Sequence, residues 1–328
     1  MNFCTLFDSY YIHKGIATYI SLEKVTDDFH LYIMAFDRDC YNKLKSLGFK
    51  NMTIEFLDDF ETPELLNVKP TRNKAEYCWT CGPSVIWHFM HRYNLHDITY
   101  IDADLFFISS PQILIDEIGG ASIGLTEHNN VDPSISGRFC VQFNYFKNDK
   151  VGNAALEWWR DSCIDWCYSR YEDGKFGDQR YLDSVPDKFP NVHIIKNRGA
   201  GIASWNFARY KYFDRNLEFN GVSDPFVFYH MHGVKTDIVD DKLIIYSVNA
   251  YLSQQVLTLF YEPYAHLLID VFNNYLSRNI SSFKIVNRPY WEELYEKARR
   301  PFRHYRLLQW VYYKLLNHRY SGLESKKI

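Results

Sequence analysis

The chain carries no large excess of either charge: 37 Lys and Arg against 40 Asp and Glu give a formal −3 over 328 residues. A chain-wide basic field for nucleic acid is therefore absent. Long apolar runs are missing too. The longest uncharged stretch, Leu243 to Tyr261, includes Ser247, Asn249, Ser253, Gln254, Gln255 and Thr258, too polar for a lipid-facing helix. The start, Met1-Asn2-Phe3-Cys4, has neither the charged nor the long apolar region of a signal peptide. Seven cysteines, an odd number, suggest free thiols in a reducing, cytoplasmic compartment rather than a disulfide framework. No internal repeat or low-complexity tract stands out, and 23% charged with 47% hydrophobic residues excludes intrinsic disorder. Aromatic residues are what the chain has in abundance: 8 Trp, 26 Tyr and 24 Phe. They fill cores, but they also stack on sugars and bases and populate membrane interfaces. The length suits two domains, or one large α/β unit with an appendage.

Short apolar runs alternate with amphipathic stretches over the first third of the chain. Strands are expected at Phe3–Phe7, His30–Phe36, Met52–Phe56 and Ile98–Ile101. Between them the pattern predicts helices at Lys14–Lys24, Cys40–Leu47 and Lys74–Tyr93, the last interrupted at Gly82-Pro83. Such alternation argues for a mostly parallel sheet flanked by helices, with ligands beyond the carboxyl ends of the strands. Further strands are expected at Ala121–Thr126 and Phe139–Phe146, and a helix at Asn153–Tyr171. From about Asp240 the pattern turns helical, which gives a domain 1–240 and a helical C-terminal extension 241–328.

Residues just after strands are therefore the ones to weigh. Asp102-Ala103-Asp104 directly follows the Ile98–Ile101 strand, and two carboxylates so spaced turn toward one hard cation that keeps positions open for phosphate. The tripeptide is weak evidence alone, since 25 Asp in 328 residues produce about two such pairs by chance. The second, Asp37-Arg38-Asp39, precedes a helix and suits capping instead. After the strand-like Phe226–Tyr229 comes His230-Met231-His232-Gly233-Val234-Lys235, which offers an imidazole ligand, a permissive glycine and a cation for diphosphate. Taken alone, this run reads more readily as two satisfied polar residues in a turn.

Four features in order, namely Asp8 and Tyr11 after the first strand, the D-x-D at 102–104, the run Gly177-Asp178-Gln179-Arg180-Tyr181-Leu182 and the His-x-x-Gly…Lys at 230–235, resemble the GT-A nucleotide-sugar glycosyltransferases. The likeness is strongest to the retaining glycogenin- and lipopolysaccharide-galactosyltransferase-like branch, and it covers about residues 2–240. It implies an α/β GT-A fold, a Rossmann-like, mostly parallel sheet flanked by helices. It implies a transfer of sugar from a nucleotide-diphosphate donor, such as a UDP-sugar, to a glycan acceptor. On that resemblance Asp8 and Tyr11 hold the nucleotide, and Asp102, Asp104 and His230 bind Mn²⁺ or Mg²⁺. Gly233 and Lys235 meet the diphosphate, and Asp178 and Gln179 lie by the sugar and the acceptor hydroxyl. The loop with Trp205 and Asn206 resembles one that carries a Trp-Asn pair in related enzymes; Trp205 stacks on acceptor sugar or serves as a core aromatic.

The sequence also departs from that pattern. Cys140-Val141-Gln142 stands where the family usually has Asn-x-Gly, and Lys235 lies two residues past Gly233 with Thr236 after it. The family's arginine before the D-x-D has Arg72 or Lys74 as substitutes. An inverting reaction would need a carboxylate base, for which Asp178 or Glu127 are candidates. Cys78-Trp79-Thr80-Cys81 has redox spacing but follows a polar segment rather than a strand, and a zinc site shared with Cys163 and Cys167 is less expected than core packing. Residues 297–319 interleave seven Lys and Arg with aromatic and aliphatic residues and contain no acid. That composition suits an anionic membrane surface, or a helix docked on the main domain with a solvated basic face. The expectation is a metal-dependent hexosyltransferase of cell-surface polysaccharide or lipopolysaccharide synthesis, peripheral on the cytoplasmic membrane face, with a glycan or lipid-linked glycan acceptor. A haloacid-dehalogenase-like phosphohydrolase and a non-catalytic nucleotide- or sugar-binding protein are the alternatives. The former normally carries its D-x-D near the N-terminus.

Overall fold

The computed structural model describes residues 1–130, 132–247 and 251–287. Its first half alternates β1 (Asn2–Phe7), α1 (Ile12–Glu23), β2 (His30–Ala35), α2 (Arg38–Leu47), β3 (Met52–Phe56), α3 (Pro63–Val68), α4 (Lys74–Arg92) and β4 (Asp97–Ile101). There follow β5 (Leu105–Phe107), α5 (Gln112–Ile118), β6 (Ile123–Glu127), β7 (Phe139–Lys147), α6 (Lys150–Asp165), α7 (Val185–Lys188) and β8 (Val192–Ile195). Short strands come next: β9 (Ala200–Ala203), β10 (Lys211–Phe213), β11 (Asn216–Phe219), β12 (Val222–Pro225), β13 (Phe228–His230), β14 (Lys235–Val239) and β15 (Lys242–Tyr246). The described part ends with α8 (Gln254–Val256), α9 (Glu262–Asn274) and β16 (Ser282–Val286).

Both phases of the first strands are apolar, which dictates the layering. Phe3 and Phe7 of β1 face one core with Leu31, Ile33 and Ala35 of β2; Cys4 and Leu6 face the other with Tyr32 and Met34. Strands buried on both faces need helices on both faces. Helices α1, α2, α5 and α9 cover the first core, α4 and α6 the second. The resulting seven-stranded sheet has the order β3-β2-β1-β4-β7-β6-β8, with β7 antiparallel to both neighbours and the remaining pairs parallel. The order reverses beside β1, with β2 and β3 on one side and β4 on the other. Beyond the carboxyl ends of β1 and β4 there is thus a crevice of the kind that takes ligands.

A second sheet, β5-β13-β9, closes this crevice. His230 pairs with Leu105 on one side and Ala203 on the other, and the Met231 N–H donates to the Asp104 carbonyl at 2.9 Å. Chain-distant His230 is in this way fixed beside the segment that follows β4.

Three expectations are corrected. Helix α4 runs unbroken through Gly82-Pro83: the proline deprives a single carbonyl, that of Trp79, of its intrahelical partner. Burial of Cys81, Val85, Ile86, Phe89 and Met90 holds the turns on either side. Helix α6 stops at Asp165 rather than Tyr171, where Trp166 turns extended and Arg72 donates to the carbonyls of Ile164 and Asp165 at 3.1 and 3.4 Å. The stretch after Asp240 is not uniformly helical, because β15 pairs antiparallel with β14 and parallel with β16. The 240/241 boundary falls in the β14–β15 hairpin turn, with Asp240 at φ 57°. No described helix is long and apolar enough to cross a membrane. The basic-aromatic segment 297–319 lies outside the described residues.

Candidate active site

Asp102 and Asp104 leave the end of β4 and turn toward His230 at the end of β13. The His230 Nε2 stands 3.0 Å from Asp104 Oδ1 and 3.4 Å from Asp102 Oδ2. Among the described residues this is the grouping of metal-ligating side chains whose donor atoms all lie within 4.8 Å of one another. Two carboxylate oxygens and one imidazole nitrogen, converging on a crevice, fit a divalent cation with positions left open. Asp104 and His230 are buried, while Asp102 faces the cavity with 28% of its side chain exposed. Burial alone would raise the Asp104 carboxyl, but His230 and Lys14 overcome that and hold it well below the ordinary range. Burial pushes Asp102 up, against the pull of His230. His230 itself, which burial would lower, is raised by the two carboxylates. The triad is thus an ion cluster in which a divalent cation would take the place of a proton.

Two supporting contacts come from residues not expected from sequence to have a role in the site. Lys14, buried in the first turns of α1, lies 3.6 Å from Asp104 Oδ2 and 4.3 Å from the centre of the Tyr11 ring. Gln142, fully buried on β7, accepts a hydrogen bond from His230 Nδ1 at 2.7 Å. Lys14 looks like any helix lysine in sequence, so no local signal identifies it. Gln142 lies in the Cys140-Val141-Gln142 departure from the family's Asn-x-Gly, and that, with its polarity between buried Val141 and Phe143, is the signal available.

The triad borders a cavity of about 500 Å³, within the size range of small-ligand pockets. Asp102, His230, Asp178, Gln179 and Trp205 line it, joined by Trp79, Phe176, His128 and Cys140, none of the last four foreseen as site residues. Asp178 is buried and its carboxyl is pushed up to about 8, by desolvation first and the nearby Asp102 second. Its backbone carbonyl is anchored by the Trp159 indole N–H at 2.9 Å. Gln179 donates to the Ser136 carbonyl at 2.7 Å. Gly177, at φ 54°, permits the turn that brings both into the wall.

Trp205 is a cavity wall rather than a core aromatic. Its indole N–H donates to the His128 carbonyl at 2.8 Å, and its ring packs edge-on against His128, His230 and His232. Asn206 differs: it is fully buried and its amide is engaged with Ala203 N, Gly201 O and His128 O. It pins the loop that carries Trp205 and does not itself line the cavity.

At the end of β1, Asp8 accepts the Tyr11 N–H at 3.1 Å and pairs with Lys74. Of the two substitutes for the family arginine, Lys74 is the one at this end of the sheet. Arg72 is turned away, stacked 3.9 Å from the Tyr168 ring. Tyr11 is half-buried and forms the N-cap position of α1. Gly233 adopts φ 73° in the turn after β13, and Lys235 is exposed at the start of β14. Neither Gly233 nor Lys235 lines the cavity.

The remaining candidates are structural. Asp37 caps α2 by accepting the Cys40 N–H at 2.8 Å, as expected. Glu127 is held by Arg138 at 2.9 Å and Arg198 at 2.8 Å, outside the cavity lining, so it is not placed to serve as a base. The described cysteines are all free, and those at 78, 81, 163 and 167 form no metal-ligating group among the described residues.

No protein-family model matches the chain. The Bacillus subtilis (strain 168) protein YfnD is 34% identical over 240 residues, covering 71% of this chain and 77% of its own length. YfnF of the same organism is 30% identical over 280 residues, covering 81% and 92%. Among solved structures, the galactosyltransferase LgtC in complex with donor and acceptor sugar analogs superposes with a TM-score of 0.50 at 12% identity, covering 82% of this chain and 95% of that one. The fold is therefore the GT-A glycosyltransferase fold, similar to that of LgtC.

Proposed function

We propose that this chain, which belongs to the family of the Bacillus subtilis proteins YfnD and YfnF, is a divalent-metal-dependent glycosyltransferase. It moves a hexosyl unit from a UDP-sugar to a glycan acceptor, with retention at the anomeric carbon. The observation that carries this reading is the Asp102–Asp104–His230 triad, set at the mouth of the cavity on a GT-A fold.

The three side chains suit Mn²⁺ or Mg²⁺, since carboxylates satisfy either ion and imidazole favours the softer Mn²⁺. When bound, such an ion neutralises the charge that develops on the diphosphate as the sugar–phosphate bond breaks. Around it, Tyr11 offers a face for the base and Asp8 a polar contact for the nucleoside. Gly233 lets the backbone approach the diphosphate, and Lys235 extends from β14 as a counter-charge. Asp178 and Gln179 orient the transferred sugar against the acceptor hydroxyl, and Trp205 stacks on an acceptor ring. With Glu127 engaged by two arginines, Asp178 is the cavity carboxylate outside the metal triad.

In this reading residues 1–240 form the transferase unit and 241–328 an extension. The basic-aromatic segment 297–319 of that extension rests on an anionic membrane surface at the cytoplasmic face, where a lipid-linked acceptor of cell-surface polysaccharide or lipopolysaccharide synthesis would be met. Calorimetric titration of UDP with and without Mn²⁺, on the wild type and on D102A/D104A, tests the proposal. Metal-dependent binding lost in the variant supports it; a folded wild type that does not bind UDP overturns the UDP-donor reading.

A further inference from the structure

We propose that Gln142 is a positioning residue for the metal centre, fixing the ring of His230 so that Nε2 faces the Asp102–Asp104 pair. The inference rests on the metal-dependent reading above. A glutamine Oε1 is an acceptor, so the 2.7 Å contact with His230 Nδ1 requires the proton on Nδ1 and directs Nε2 to the carboxylates. The same residue grips the other ligand segment, because its backbone carbonyl accepts the Asp102 N–H at 3.1 Å. One residue of β7 thus ties β13 to the turn after β4, two segments more than 120 positions apart in sequence.

Folding alone does not account for this side chain. Gln142 is fully buried, and its Nε2 has no hydrogen-bond partner. An unpaired buried N–H is unfavourable, and an aliphatic residue would avoid it. The surroundings are shaped to admit the amide nonetheless. Gly201 sits at φ 96°, and a Cβ there would fall 1.9 Å from Gln142 Nε2, so any larger residue would displace the glutamine. Space is conceded on β9, and a buried donor is left unpaired on β7, to keep one acceptor against Nδ1.

The test uses Mn²⁺ alone as the probe, titrated into the full chain and followed by electron paramagnetic resonance and calorimetry. Q142M fills a similar space without an acceptor; Q142E keeps an oxygen that accepts from Nδ1–H. Wild type is expected to bind Mn²⁺, Q142M to bind about 10–100-fold more weakly with unchanged thermal unfolding, and Q142E to recover to within about 3-fold of wild type. Equal affinity in wild type and Q142M overturns the proposal, as does an equally weak Q142E that is folded. Should Q142M fail to fold, Q142N, one methylene too short to reach, is to show the same loss, and wild-type affinity in Q142N overturns the proposal. A wild type that binds no Mn²⁺ overturns the metal assignment itself, an outcome visible before any variant is compared.

Discussion

Lys14 Nζ lies 3.6 Å from Asp104 Oδ2, and both side chains are almost wholly withdrawn from water. A buried ammonium is tolerated only beside a charge of the opposite sign, and a buried carboxylate likewise. Asp104 therefore divides its two oxygens, Oδ2 toward Lys14 and Oδ1 toward His230. That division fixes the carboxylate in a single rotation before any ligand arrives, with Oδ1 kept among the donor atoms of the triad.

Replacing Lys14 by methionine removes the cation and keeps the volume. Removing one partner of a buried pair typically costs about 3–5 kcal/mol, but Asp104 retains His230, so a loss of about 2–3 kcal/mol is expected. Urea unfolding of wild type and K14M at pH 7 measures it. A stability unchanged within about 0.5 kcal/mol would mean that the pair is solvated and of little consequence.

Loss of Asp102 from the triad should act on binding, whereas loss of Asp104 should weaken binding and also destabilise the fold, because it leaves the buried Lys14 without its counter-charge. D102N and D104N each leave an isosteric amide and remove a ligand charge. Mn²⁺ affinity should fall by more than the roughly 10–100-fold typical of supporting residues. Near-ultraviolet circular dichroism should remain that of the wild type. Chelator treatment of the wild type should reproduce the variants' loss of nucleotide binding, and Mn²⁺ should restore it to wild type alone.

How much of this is legible in the sequence depends on how far apart along the chain the causes lie. The strands at β1 to β4 and the D-x-D are local: apolar runs in both phases mark buried strands, and Asp102 and Asp104 fall where such strands end. His230 is legible because its motif comes after the others in order. Lys14 is not, because the carboxylate that makes its burial tolerable lies 90 positions later and nothing within its helix points to that partner. The β15–β16 pairing is hidden for the same reason, as two strands separated by a helix form one parallel ladder. Helix α4 misleads for the opposite reason: a strong local breaker, Gly82-Pro83, is overruled by burial along the helix on either side.

Helix α6 gives a pH-dependent stability with a definite sign. Asp149 caps it, accepting the N–H groups of Val151 at 3.0 Å and Gly152 at 2.9 Å, with Ser122 Oγ at 2.8 Å. Burial would raise this carboxyl, yet these donors outweigh it and lower it below the usual value. A depressed carboxylate contributes stability that is full above the unfolded value of about 3.9 and is lost as pH falls through the folded one. D149A should therefore be about 1 kcal/mol less stable at pH 7, with the gap narrowing as the pH is taken well below about 3.9. Urea unfolding at neutral and acid pH tests this; a gap that persists in acid would show that the cap does not act through its charge.

Two further carboxylates separate the chemistry from the scaffold. Asp178 is buried in the cavity wall, whereas Glu127 is clasped by Arg138 and Arg198 beyond it. D178N keeps the shape of the wall but removes the titratable proton and changes what the group donates and accepts. Sugar transfer should drop by about 100-fold or more while UDP affinity in Mn²⁺ stays within about 3-fold of wild type. E127Q removes the charge shared by two arginines outside the cavity and leaves one acceptor where there were two. Transfer should therefore persist and stability should fall by about 1 kcal/mol. If E127Q instead abolished transfer with UDP binding intact, the reacting carboxylate would be Glu127, and the cavity beside Asp178 would not be where the sugar is moved. The pair of variants, assayed side by side for transfer and for UDP affinity, decides between these carboxylates whatever the acceptor linkage.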